Sequence, residues 1–177
     1  VRELRFNAWI GILPPDEAAA EAKKWFDQGF RSAKVKVGGN VDADRDRIQA
    51  IREAVGSKMQ LRADANAGYS VEDGIRLAKL LEPFNMQLLE QPVAAEDLAG
   101  MAKVRQSTSI PIMADESIID YASLIAVIKS DSADIVKLKV MKQGGFLNTR
   151  RMLETATAAG LRVVIGHGFV DEFHPMP

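Results

Sequence analysis

Six ionisable side chains recur along the chain at nearly constant intervals: Lys36, Asp64, Glu90, Asp115, Lys139 and His167, separated by 28, 26, 25, 24 and 28 residues. Three consecutive members are carboxylates. At the ends of neighbouring strands ~4.8 Å apart, Asp64, Glu90 and Asp115 can converge on one point. Two carboxylates ~4 Å apart repel by roughly 4 kcal/mol at an effective dielectric of 20, and a third compounds the cost. Such a trio therefore asks for a cation, and oxygen-only donors select a hard one. Mg²⁺ fits, because it takes carboxylates, waters and substrate oxygens together. The bland alternative for any single acid is a helix cap or a surface ion pair, but three spaced by one structural repeat, in the contexts RADAN, LLEQP and MADES, favour a metal site.

The lysines flank that trio. Lys34 and Lys36 share one side of a strand, roughly 6 to 7 Å apart, and Lys139 belongs to a strand on the far side of the acids. Lys36 and Lys139 can thus face each other across a bound molecule. A solvated or salt-bridged lysine is the usual fate of this residue. A lysine crowded by other positive charges, however, gives up its proton more readily and so becomes a general base.

The elements that must carry these groups follow from hydrophobic periodicity. Leu4, Phe6, Ala8, Ile10 and Ile12 alternate at period two and predict a first strand over 4–12, closed by Pro14 and Pro15. A helix over 16–28 follows, with Asp16 as its N-cap and Gly29 as its stop. The same alternation predicts strands near 33–37, 60–64, 87–90, 112–114, 135–139 and 162–165, and helices near 43–55, 71–81, 95–106, 121–129 and 147–159. Seven strands alternating with six helices require parallel pairing through right-handed crossovers.

Strand faces choose between a doubly wound sheet and a barrel. Ala33, Val35 and Val37 oppose Lys34 and Lys36; Leu61, Ala63 and Ala65 oppose Arg62, Asp64 and Asn66; Val136, Leu138 and Val140 oppose Lys137 and Lys139. A doubly wound sheet needs apolar residues on both faces, whereas a barrel carries polar groups on its inner face near the carboxyl-end mouth, where active sites of that fold lie. The expected fold is therefore α/β: a (β/α)8 TIM-type barrel, here cut to about seven strands. Helix faces such as Ile48, Ile51 and Val55 are core packing at helical spacing. Gly144 and Gly145 serve a turn and a helix entry.

The motifs KVK, RADAN, LLEQP, MADES and LKVMKQGG, with the spacing among them, resemble the enolase superfamily, and within it the mandelate racemase/muconate lactonizing enzyme family, in its lysine-lysine, muconate-cycloisomerase-like subgroup. The resemblance spans about 4–168 and rests on the set of motifs together. That superfamily is established as using Lys or His bases with Mg²⁺ stabilising an ene-diolate. The resemblance implies that Asp64, Glu90 and Asp115 are the metal ligands, that Lys36 and Lys139 are acid/base residues on opposite faces, and that Lys34 supports Lys36 electrostatically. It implies abstraction of a proton alpha to a carboxylate, giving a metal-stabilised enolate, by an isomerase acting as racemase, epimerase or cycloisomerase. A dehydratase of the same superfamily, or an inactive metal-binding fragment, is the alternative. His167 stands where the mandelate racemase branch keeps a histidine base, but Lys139 replaces the aspartate that would orient it. It is thus a candidate catalytic residue, with a substrate hydrogen bond as the other reading; His174 is incidental.

The family places a capping domain before the barrel and closes it with an eighth strand. Neither is read in this chain, so we expect a partial barrel catalytic domain over 1–169 and an irregular tail over 170–177, as in a fragment, with edges open to pairing between chains. The resemblance also implies a homo-oligomer. With 23 Lys+Arg against 24 Asp+Glu, no cysteine and no basic run, the composition argues against nucleic acid or an anionic membrane as partner, and suits a small-molecule carboxylate and a cytoplasmic location. No stretch approaches the ~20 apolar residues of a membrane span, and Arg2, Glu3 and Arg5 interrupt the start where a signal peptide needs an apolar run.

Overall fold

A computed structural model of the protein describes residues 6–166. Seven strands, β1 (Ala8–Ile10), β2 (Ser32–Lys36), β3 (Gln60–Asp64), β4 (Met86–Glu90), β5 (Ile112–Ala114), β6 (Ile135–Lys139) and β7 (Arg162–Gly166), form one sheet in the order of the sequence. Every neighbouring pair is parallel. Because the order never reverses, the described residues contain no topological switch point, which separates this sheet from the doubly wound class and makes it the run of βα units expected of a barrel. The crossovers are α1 (Pro15–Asp27), α2 (Val41–Val55), α3 (Val71–Leu81), α4 (Leu98–Ser107), α5 (Tyr121–Lys129) and α6 (Phe146–Ala158). Among the described residues, no helix is long and apolar enough to cross a membrane.

Alternation along each strand divides the core. Ala33, Val35, Leu61, Ala63, Leu89, Ile112, Ala114, Val136 and Leu138 are buried with helix residues such as Ile48, Ile51, Leu77, Met101, Val127 and Met152 in one large apolar layer. The opposite strand face carries a small second cluster, Leu88, Met113 and Ile135, with Val164 against it. One step further along those strands come Glu90, Asp115, Lys137 and Gly166, so the inner face turns from apolar to ionic towards the carboxyl ends. An irregularity between β3 and β4 secures this phase. Leu61 pairs with Met86 but Arg62 pairs with Leu88, leaving Gln87 as the extra residue of a bulge. The shift sets Glu90 opposite Asp64.

Local chemistry fixes the helix starts. Asn40 accepts hydrogen bonds from the N–H groups of Asp42 and Ala43, Ser70 from Asp73, and Asp97 from Gly100, while Asp120 and Ser123 form a reciprocal capping box on α5. Gly144 and Gly145, with φ of 76° and 105°, turn the chain into α6.

Three expectations are corrected. Asp16 does not cap α1: the helix opens one residue earlier with Pro15 in its first turn, where the missing N–H costs nothing and the fixed φ is already helical. The first strand is shorter than its alternation implies, because pairing with β2 ends at Ile10 and leaves Phe6 and Ile12 exposed. Leu4 lies outside the described residues. α4 begins at Leu98, with Asp97 as its N-cap, and not near residue 95.

Candidate active site

The carboxyl ends of β2 to β6 bring eight charged side chains together. From β2, Lys34 and Lys36 both reach Asp64 Oδ2, at 2.6 and 2.8 Å. Lys34 also lies 3.9 Å from Glu90. From β6, Lys137 donates to Glu90 Oε1 at 2.6 Å and stands 3.2 Å from Asp115 Oδ2, while Lys139 reaches the same Asp115 oxygen at 2.9 Å. The groups thus alternate in sign along one continuous chain: Lys36, Asp64, Lys34, Glu90, Lys137, Asp115, Lys139. Lys142 adds a contact to Asp115 Oδ1 at 3.1 Å and to its main-chain carbonyl at 2.6 Å. The acids are almost wholly buried, at 0% exposure for Asp64, 1% for Glu90 and 2% for Asp115, and buried carboxylates persist only when paired.

Burial and the lysines act against each other on these acids. For Asp64 burial pushes the carboxyl upward, but Lys34 and Lys36 outweigh it and hold the group below its usual range. Asp115 is likewise held low, burial being overcome by Lys137, Lys139 and Lys142. Glu90 goes the other way: burial and the negative charge of Asp64 push it up to about 7, and Lys34 and Lys137 offset this only in part. Lys137 resists burial because Glu90 and Asp115 hold its proton, and it is shifted upward.

Buried amides fix the frame. Gln91, directly after Glu90 and at a positive φ of 37°, accepts from the N–H groups of Asp115 and Ser117 and donates to Ser117 and the Val93 carbonyl. It ties the β4 end to the β5 end. Gln143 accepts from the Lys139 N–H and donates to the Ile118 carbonyl, tying β5 to β6. Asn66 accepts from Lys36 and donates to Glu116, closing the side near β2.

Of the side chains expected from sequence, Lys34, Lys36, Asp64, Glu90, Asp115 and Lys139 are gathered in this one cluster. His167 and His174 lie outside the described residues. Lys137, Lys142, Gln91 and Gln143 are additional. Lys137 was open to detection, since it shares the period-two face of Lys139; the two glutamines gave no sequence signal, because their importance lies in contacts between strands.

Chemically the three acids suit a hard divalent cation: oxygen donors only, buried, and contributed by three adjacent strands. Their convergence on one point is incomplete as the side chains are placed. Among the described residues no three Asp, Glu, His or Cys side chains form a metal-holding group, and the ammonium groups of Lys34 and Lys137 bridge the spaces between neighbours. Five ammonium groups against three carboxylates leave the cluster cationic, which favours an anionic ligand.

Residues 17–173 match the family described as enolase C-terminal domain-like. The chain belongs to that family. Within it, the chain is 38% identical over 160 residues to an L-Ala-D/L-Glu epimerase of Bacillus subtilis, covering 89% of this chain and 44% of that protein. It is 40% identical over 162 residues to a D-Ala-D/L-Ala epimerase of Cytophaga hutchinsonii, covering 92% and 44%. A solved structure of a dipeptide epimerase from Enterococcus faecalis, complexed with Mg and the dipeptide L-Leu-L-Tyr, superposes with a TM-score of 0.91 at 33% identity, over 93% of this chain and 47% of that one. The chain therefore spans about half the length of the curated enolase-family relatives it matches.

Proposed function

We propose that this chain is the barrel part of a Mg²⁺-dependent epimerase that inverts an α-carbon next to a carboxylate, with dipeptides as the substrate class. One observation carries the reading: Lys36 and Lys139 stand at the two ends of a charge-alternating cluster whose buried centre is Asp64, Glu90 and Asp115. The names of the relatives, epimerases of dipeptides, supply the substrate class.

Asp64, Glu90 and Asp115 would hold the ion. When bound, Mg²⁺ supplies positive charge that neutralises the acids and draws electron density from a substrate carboxylate. The chain's own residues do the rest. One of Lys36 and Lys139, as the unprotonated amine, takes the proton alpha to the carboxylate; the other, as an ammonium, returns a proton to the opposite face. The C–H bond broken on one side is replaced by one formed on the other, so the configuration inverts with no net change in composition. The electron pair left by the proton spreads onto the carboxylate, where Lys34 adds positive charge that counts most as the transition state forms. Gln91 and Gln143 hold the strand ends in register, and so fix the separation of the two lysines.

The test uses the whole protein that carries this chain, in D₂O, with L,L- and L,D-dipeptides and, as a second arm, N-succinylamino acids. Epimerisation dependent on Mg²⁺ is expected for the dipeptides. Lys36→Ala and Lys139→Ala are each expected to lower epimerisation by about 10²- to 10⁴-fold. Each variant should still exchange the α-proton of one epimer, and the two should retain opposite epimers. Exchange indifferent to both lysines, or no exchange with either substrate class, overturns the reading.

A further inference from the structure

The proposed proton transfer assigns no task to Lys137 or Lys142, and of these two Lys137 is the one that contacts two of the three acids. Its Nζ is 2.6 Å from Glu90 and 3.2 Å from Asp115, and its side chain is 11% exposed. It is the closest ammonium to Glu90, since Lys34 stands 3.9 Å away. Space has been cleared for it. Gly166 on β7 has no positive φ that would require glycine, yet a Cβ there would stand 2.6 Å from Lys137 Cε and 3.3 Å from its Cγ. Any larger residue at 166 would push the lysine stem off its path.

We infer that Lys137 is a tethered counter-ion that competes with a divalent cation for Glu90 and Asp115 and so sets how tightly that cation is held. The inference rests on the reading above that these acids are metal ligands. A carboxylate oxygen that accepts a short hydrogen bond from an ammonium cannot give the same lone pair to a metal, and two cations beside the same oxygens repel each other. Ion binding therefore requires Lys137 to withdraw, and its attraction to the two acids is subtracted from the affinity. In return, Glu90 keeps a short hydrogen-bonded partner when no ion is bound, which spares the fold a poorly compensated buried charge.

The probe is Mn²⁺, with free ion counted by electron paramagnetic resonance and Mg²⁺ as competitor, on the whole protein and its Lys137→Met and Lys137→Arg variants. Lys137→Met keeps the stem and removes the charge; it is expected to tighten Mn²⁺ about tenfold, with Lys137→Arg close to the parent. Equal or weaker Mn²⁺ binding by folded Lys137→Met overturns the inference. Should Lys137→Met not fold, acylation mapped by mass spectrometry on the unaltered protein decides. Saturating Mn²⁺ should raise labelling of Lys137 and leave the exposed Lys23 unchanged; Lys137 labelling indifferent to bound ion overturns the inference. Absence of any ion binding sinks the metal-ligand reading itself, whereas binding that ignores Lys137 sinks this inference alone.

Discussion

Arg47 Nη1 donates to the main-chain carbonyl of Lys36 across 3.2 Å, tying α2 to the strand end that presents the first site lysine. The same guanidinium donates from Nε to the Leu13 carbonyl at 2.6 Å and pairs with Asp44, both side chains of the pair being buried. Asp44 in turn accepts from the N–H groups of Gly38 and Gly39 at 3.1 Å and from the Tyr69 hydroxyl. One buried ion pair thus anchors the loops after β1, β2 and β3.

Removing one partner of such a pair leaves a buried charge without compensation. Arg47→Met is expected to cost about 3–5 kcal/mol in urea unfolding, against less than about 1 kcal/mol for breaking the exposed Lys23–Asp27 pair with Lys23→Met. Equal effects from the two variants would show that the buried pair holds nothing.

Tyr69 gives a prediction in alkali. Burial, and then Asp44 beside its hydroxyl, push its ionisation well above the usual value near 10. A folded-state value raised above the unfolded one contributes stability that is complete below pH 10 and lost as the pH climbs beyond it. Tyr69→Phe should be less stable by about 1–3 kcal/mol at pH 7, and the gap to the parent should narrow above pH 10. Denaturant midpoints at pH 7 and 10.5 measure both.

Glu90 supplies a second window. Its folded value of about 7 lies above the unfolded 4.5, so the stability from its protonated form is complete below pH 4.5 and is lost as the pH rises to about 7. Asp64 and Asp115 have the opposite sign: their stabilisation is present above 3.8 and lost as the pH falls below it. With divalent ions chelated, Glu90→Gln should flatten the stability slope between pH 5 and 7 and leave the acid limb below pH 4 in place. Denaturant titrations across that range test the difference.

Two glycines near the site should behave unlike each other. A Cβ on Gly68 would stand 2.8 Å from Gly38 Cα and 2.9 Å from the Ala65 carbonyl oxygen, main-chain atoms that cannot swing aside, whereas a Cβ on Gly39 meets nothing within 4 Å. Gly68→Ala is expected to lose about 1–3 kcal/mol, and Gly39→Ala to stay within about 0.5 kcal/mol of the parent. Thermal unfolding distinguishes them.

Much of the fold was legible because each βα unit carries its own signal. The alternation of Lys34 and Lys36 with Ala33, Val35 and Val37 states both the strand and its two faces, and the predicted bounds for α3, β3, β5, α5 and β6 coincide with those observed. The alternation over-extends β1, because period two persists through Phe6 and Ile12, beyond the residues that pair with β2. The site divides the same way. Five of its charged groups follow from the repeat of about 25 residues and Lys34 from the alternation beside Lys36, but the bridge from Lys137 to Glu90 joins positions 47 apart. The bulge at Gln87, the anchoring pair of Asp44 with Arg47, and the bracing by Gln91 and Gln143 likewise depend on which strands meet, and not on any local pattern.

The strictly sequential order of the sheet also sets which neighbour supplies each acid with its cations. Asp64 takes its cations, Lys34 and Lys36, from the strand that precedes it in the chain. Asp115 has no such predecessor. Its partners Lys137, Lys139 and Lys142 all lie later in the sequence, so a sheet cut off after β5 would leave that carboxylate without the cations that hold it.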